Sequence, residues 1–90
     1  MFEQEFEILN EQGLHARPAT ALVNTIQKYK SEVFLLSQGK KINAKSILGV
    51  LVLAAEKGSK MIVQANGEDA EEAVNSVLNL AANKFGMPNE

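Results

Sequence analysis

Cysteine is missing from this chain of 90 residues, and with it disulfides, thiolate metal sites and cysteine nucleophiles. The lack of thiols fits a reducing compartment. Histidine and arginine are each reduced to a single residue, His15 and Arg17, two positions apart. One imidazole cannot build a histidine metal cluster, and it weighs against a Ser-His-Asp hydrolase, so no metal and no cofactor is expected. With only two prolines, Pro18 and Pro88, no proline-rich linker divides the chain, and residues 1–90 read as one domain. Positive charge is scarce: 9 Lys and Arg against 11 Asp and Glu leave a net charge of -2. Nucleic acid is therefore not an expected partner, because counterion-driven binding to phosphates needs a basic face. Long apolar runs are also absent. The longest, from Ile47 to Ala55 with Gly49 inside it, is about half of the roughly 20 residues a membrane helix needs. The N-terminal Met-Phe-Glu-Gln-Glu-Phe-Glu is acidic where a secretory signal is basic. These features together predict a cytoplasmic protein with no membrane insertion.

What is present is strong patterning. Residues 2 to 8 alternate, with Phe2, Phe6 and Ile8 on one side and Glu3, Glu5 and Glu7 on the other, the period of a strand with one wet face. After the turn-prone Asn10-Glu11-Gln12-Gly13, the spacing Ala19, Leu22, Val23, Ile26 predicts a helix ending near Lys28 to Lys30. Glu32 to Ser37 and Lys40 to Ala44 read as a hairpin turned by Gln38-Gly39. Ser46 is a preferred N-cap; a helix is expected from Ile47 to about Lys57, stopped by Gly58. Lys60 to Asn66 reads as a fourth strand. Ala70, Ala73, Val74, Val77, Leu78, Ala81 and Phe85 mark an amphipathic helix with acidic residues in its first turn. The order βαββαβα implies an α+β fold, an antiparallel sheet of four strands with three helices on one face.

The junction between the first strand and first helix holds the chemistry. Gly13-Leu14-His15-Ala16-Arg17-Pro18-Ala19 places His15 near an N-cap and Pro18 in the first turn, where its missing N–H costs little. An anion attached to His15 would meet the backbone N–H groups of Ala16 and Arg17 at the positive end of the helix dipole. Arg17 adds a permanent charge with forked donors that match phosphate oxygens. An imidazole in water is largely neutral near pH 7 and can attack phosphorus without a separate base. The bland alternative is that His15 merely caps the helix and Arg17 is a solvated charge, and local spacing alone leaves both readings open.

The whole block, however, resembles the phosphorylation-site signature of the HPr family, histidine-containing phosphocarriers of the phosphoenolpyruvate-dependent sugar phosphotransferase system. A second block, Asn43-Ala44-Lys45-Ser46-Ile47-Leu48-Gly49-Val50, is similar to that family's signature around a regulatory serine. The resemblance covers nearly the full chain. It implies the HPr open-faced sandwich, a phosphoryl group accepted on His15 from phospho-Enzyme I and passed to Enzyme IIA domains, and Arg17 steadying it. It implies regulatory phosphorylation at Ser46 by HPr kinase/phosphorylase, in a carrier and co-substrate rather than a stand-alone enzyme, working as a monomer. The family's docking surface maps onto Thr20 of the His-bearing helix and Ile47, Leu48 and Leu51 of the second helix. That helix is apolar nearly all round, more than a thin domain can bury, and an exposed apolar patch marks a partner surface.

Departures from the pattern are Asn24 and Gln27, where many relatives carry basic residues, with Lys28, Lys30 and Lys45 as nearby substitutes, and Gln12, longer than the usual side chain. The tail from Phe85 to Glu90 is expected to fray. Three other readings compete. A nitrogen-related paralogue would use the same histidine in a regulatory circuit. An acylphosphatase-like hydrolase would use Arg17 and Asn43 on a similar element order. A non-transferring homologue would signal through Ser46 alone, but proteins of that kind lack the histidine.

Overall fold

The structure, a computed structural model, describes residues 1–53 and 55–87. Strand β1 (Phe2–Glu7) leads through a loop to helix α1 (Ala16–Ile26), then to the hairpin of β2 (Glu32–Ser37) and β3 (Lys40–Asn43). Helix α2 (Ile47–Val52), strand β4 (Lys60–Asn66) and helix α3 (Ala70–Ala82) complete the layers. The four strands are antiparallel in the order β1-β4-β2-β3, and the helices cover one face.

Each element follows from its sequence. In β4, Met61, Val63 and Ala65 are buried under the helices and alternate with Ile62 and Gln64 on the open side. The same alternation buries Val33 and Leu35 of β2. The hairpin turns through Gln38 at φ 50° and Gly39 at φ 80°, two left-handed residues, as a type I′ turn demands. Helix α1 buries Ala19, Leu22, Val23 and Ile26, the stripe its spacing implied, and Pro18 as well. Between the layers Ile8, Leu22, Ile26, Leu35, Met61, Val63, Val77 and Phe85 are fully buried, each large aliphatic or aromatic side chain contributing about 1.5 to 3 kcal/mol.

The structure departs from expectation at four places. Helix α2 ends at Val52, not near Lys57, with Ala54 outside the described residues. The backbone beyond is used elsewhere: the Ala55 carbonyl accepts from the Leu14 N–H at 2.9 Å, and the Gly58 N–H donates to the Ile8 carbonyl at 2.8 Å. Helix α3 stops at Ala82. Lys84, Phe85 and Gly86 follow in left-handed conformation, φ 53°, 54° and 78°. Phe85 is nevertheless buried, so the tail is anchored there rather than frayed, while residues 88–90 lie outside the described residues. Helix α1 ends at Ile26, a little before the expected lysines. Lastly, Phe2 at the strand end is 46% exposed, although it shares a side with Phe6 and Ile8.

Among the described residues, no helix is long and apolar enough to cross a membrane.

Candidate functional site

The loop between β1 and α1 is held by its own turn and by two distant segments. Asn10, fully buried, accepts from the Gly13 N–H at 3.0 Å through its carbonyl, and its Nδ2 donates to the Lys84 carbonyl at 2.7 Å. Leu14 is tied to Ala55 as above. Gly13, at φ 71°, passes so close to that segment that a Cβ would lie 2.1 Å from the Ala55 carbonyl oxygen, an approach open only to glycine. The loop thus delivers His15 in a fixed position at the start of α1.

His15 is the N-cap, with φ -85° and ψ -168°, and its side chain makes no capping hydrogen bond to the helix. That removes the reading in which the imidazole exists to cap. The first bond of the α1 ladder runs from the Ala19 N–H to the His15 carbonyl at 3.0 Å. The amides of Ala16 and Arg17 therefore precede the ladder, and Pro18 contributes none. Pro18 is buried, while Ala16 and Arg17 are exposed and His15 is half-buried. No acidic side chain stands in the first turn of α1 to oppose an anion on the imidazole. Thr20, half-buried one turn on, donates its hydroxyl to the Ala16 carbonyl at 2.8 Å. A shallow depression of about 380 Å³ beside it is lined by Ala16, Arg17, Thr20, Ala21, Asn24 and Met87.

Ser46 caps α2: its Oγ accepts from the Gly49 N–H at 3.1 Å, as its residue type predicted. Ile47 and Leu48 are 39% and 76% exposed, and Val52 is 61% exposed, while Leu51 is half-buried against the core. The predicted docking residues therefore separate into three classes: Ile47 and Leu48 lie open, Leu51 is shared with the core, and Thr20 stands on α1. Val52 is a further exposed apolar residue that sequence inspection passed over. The run of consecutive apolar residues masked it, and only the early end of α2 leaves it outside.

The lysines near this surface each make a contact within the chain. Lys45 Nζ donates to the Tyr29 carbonyl at 2.5 Å, Lys30 pairs with Glu68 at 3.4 Å, and Lys28 lies over the Tyr29 ring at 5.3 Å. Of the three, Lys30 keeps its side chain exposed within its ion pair. Asn43 stands on edge strand β3, opposite Phe34 on the open side, and its Oδ1 accepts from the Lys45 N–H at 2.8 Å. Arg17 belongs to the helix layer, so the pair that an acylphosphatase-like site needs is not brought together. Among the described residues no group of three or more His, Cys, Asp or Glu could hold a metal ion.

Comparison with known proteins places this arrangement. The family model described as "PTS HPr component phosphorylation site" matches residues 2–83. The phosphocarrier protein HPr of Xylella fastidiosa (strain Temecula1) is 41% identical over 85 residues, 94% of this chain and 96% of that protein. The structure of HPr from Thermoanaerobacter tengcongensis superposes with a TM-score of 0.92 at 42% identity, covering 96% of this chain and 97% of that one. Crh, a catabolite repression protein of Bacillus subtilis solved as a swapped dimer, is 39% identical with a TM-score of 0.71, over 93% and 95% of the two chains. The chain thus belongs to the HPr family, the phosphocarriers of the phosphoenolpyruvate-dependent sugar phosphotransferase system.

Proposed function

We propose that His15 accepts a phosphoryl group from phospho-Enzyme I and passes it to Enzyme IIA domains, in the cytoplasm and without a cofactor. The observation that carries this reading is the position of His15 at the N-cap, ahead of two backbone amides and beside Arg17. A bond forms between an imidazole nitrogen and phosphorus while the bond from phosphorus to the donor atom breaks, its electron pair staying on the donor. By family resemblance the accepting atom is Nδ1. The Ala16 and Arg17 amides and the Arg17 guanidinium meet the phosphoryl oxygens. The helix-end contribution is about 0.3 to 1 kcal/mol, about 2 when partly buried. That is enough to tune the phosphorylated state but too little to drive transfer, so the donor protein supplies the remainder.

Ile47, Leu48, Leu51 and Thr20 form the docking face beside this site, to which Val52 adds. Phosphorylation of Ser46 by a protein kinase regulates it: a phosphate of charge about -1.5 to -2 set next to Ile47 and Leu48 weakens docking. Incubation with phosphoenolpyruvate and Enzyme I, followed by intact mass, tests the central claim. Wild type gains one phosphoryl group and His15→Ala gains none; labelling of both proteins refutes the assignment. Delivery to a transport acceptor, rather than to the regulatory circuit of a nitrogen-related paralogue, is read by chasing the label into Enzyme IIA of each kind.

A further inference from the structure

The open side of the sheet, away from helices and docking face, carries an ordered row of side chains. Pairing registers place Glu5 of β1 opposite Ile62 of β4, Ile62 opposite Leu36 of β2, and Leu36 opposite Lys41 of β3. Directly paired residues share a face, so the row reads acid, apolar, apolar, base across the whole sheet. Ile62 and Leu36 are half-buried, and all four line one open groove of about 360 Å³. Among the described residues neither Glu5 nor Lys41 belongs to an ion pair; Lys41 Nζ lies 4.5 Å from the centre of the Phe34 ring, in the next row.

This row is complementary to itself under one symmetry operation. A two-fold axis parallel to the strands, between β4 and β2, lays a second sheet face to face with its strand order reversed. Glu5 then meets Lys41 of the other copy and Ile62 meets its Leu36, each contact occurring twice, as a two-fold interface requires. An axis perpendicular to the strands instead sets Glu5 against Glu5, so charge selects the first. Sheets packed in this way cross at about -30°, which confines close contact to a central row such as this one.

We propose that this open face mediates reversible self-association of the chain through the row Glu5, Ile62, Leu36 and Lys41, a second copy being its occupant. Four strands at about 4.8 Å spacing and about five residues of length give a patch at the low end of interface sizes. The association is therefore weak, the monomer expected from the sequence prevails in dilute solution, and both docking faces point outward in the pair.

Sedimentation equilibrium of the full chain, from about 10 µM to about 1 mM, tests this. A monomer–dimer equilibrium is expected, weakened by raising salt from about 0.05 to about 0.5 M. Glu5→Lys and Lys41→Glu should each weaken it at least about fivefold, because each sets like charges together twice. An equimolar mixture of the two variants should associate again, since every contact between them is complementary. Circular dichroism confirms that each variant folds. A chain that stays monomeric at the highest concentration overturns the proposal. So does a dimer indifferent to both reversals, which would be built by edge pairing or strand exchange.

Discussion

Gln27 Nε2 donates to the Lys45 carbonyl at 3.0 Å, fastening the end of α1 to the residue before the α2 cap. Lys45 returns the contact through its bond to the Tyr29 carbonyl, which supplies a cation at the C-terminal end of α1. The two helices that bear His15 and Ser46 are thus clasped. Lys45→Ala should lower stability by about 1 to 2 kcal/mol, and Gln27→Ala by less, as read by urea denaturation. A double variant no worse than Lys45→Ala would show that the two contacts act as one.

Arg17→Ala should slow phosphoryl transfer to His15 by about tenfold to a hundredfold, the equivalent of one charge-assisted hydrogen bond. Arg17→Lys should recover part of this, because a point charge replaces the fork. Rapid-quench kinetics with phospho-Enzyme I give the comparison; unchanged rates in Arg17→Ala would remove Arg17 from the site.

Ser46→Asp should raise the KM for transfer from phospho-Enzyme I several-fold, about 1 kcal/mol of lost docking, while thermal stability holds because aspartate also caps helices. A Ser46→Asp protein that accepts phosphate as efficiently as wild type would sink regulation at this position.

Gly13→Ala should destabilise the fold by about 2 to 4 kcal/mol, since the added methyl collides with the Ala55 backbone. Gln38→Asn should act in the opposite direction, gaining about 0.5 kcal/mol, because asparagine tolerates the left-handed conformation that Gln38 occupies. Thermal melts of both variants check the signs.

Acid stability should depend on Asp69. Hydrogen bonds, first from the Ser31 hydroxyl and then from the Lys30 N–H, lower its pKa from 3.8 to about 2. Because the folded value lies below the unfolded one, the contribution is fully present above about pH 4. It is lost as pH falls toward 2. Wild type and Asp69→Asn should therefore differ most in melting temperature at neutral pH and converge near pH 2; a constant difference would show that the carboxylate charge is irrelevant.

The element order was legible because the strands alternate and the long helices keep a clean apolar stripe, as in Phe6, Ile8, Leu22 and Val77. Caps were legible too, at His15 and Ser46. Helix α2 overran in the reading because Glu56 and Lys57 are good helix formers, and nothing local reports that Leu14 and Ile8 need the backbone there. Phe85 likewise fits the α3 stripe but is buried from a left-handed turn. Asn10 was missed as a support of the site because its partner, Lys84, is far along the chain. The row across the open sheet was hidden for the same reason, since pairing registers join residues from four separate segments.

The supports of the His15 loop also fix when the site comes into being. The carbonyls that hold this loop belong to Ala55 and Lys84, both far along the chain from His15. A folding chain in which only β1 and α1 have formed presents the histidine on a segment without these two partners. Assembly of the loop around His15 is therefore coupled to long-range packing, and it is complete only once the segments at Ala55 and Lys84 are in place.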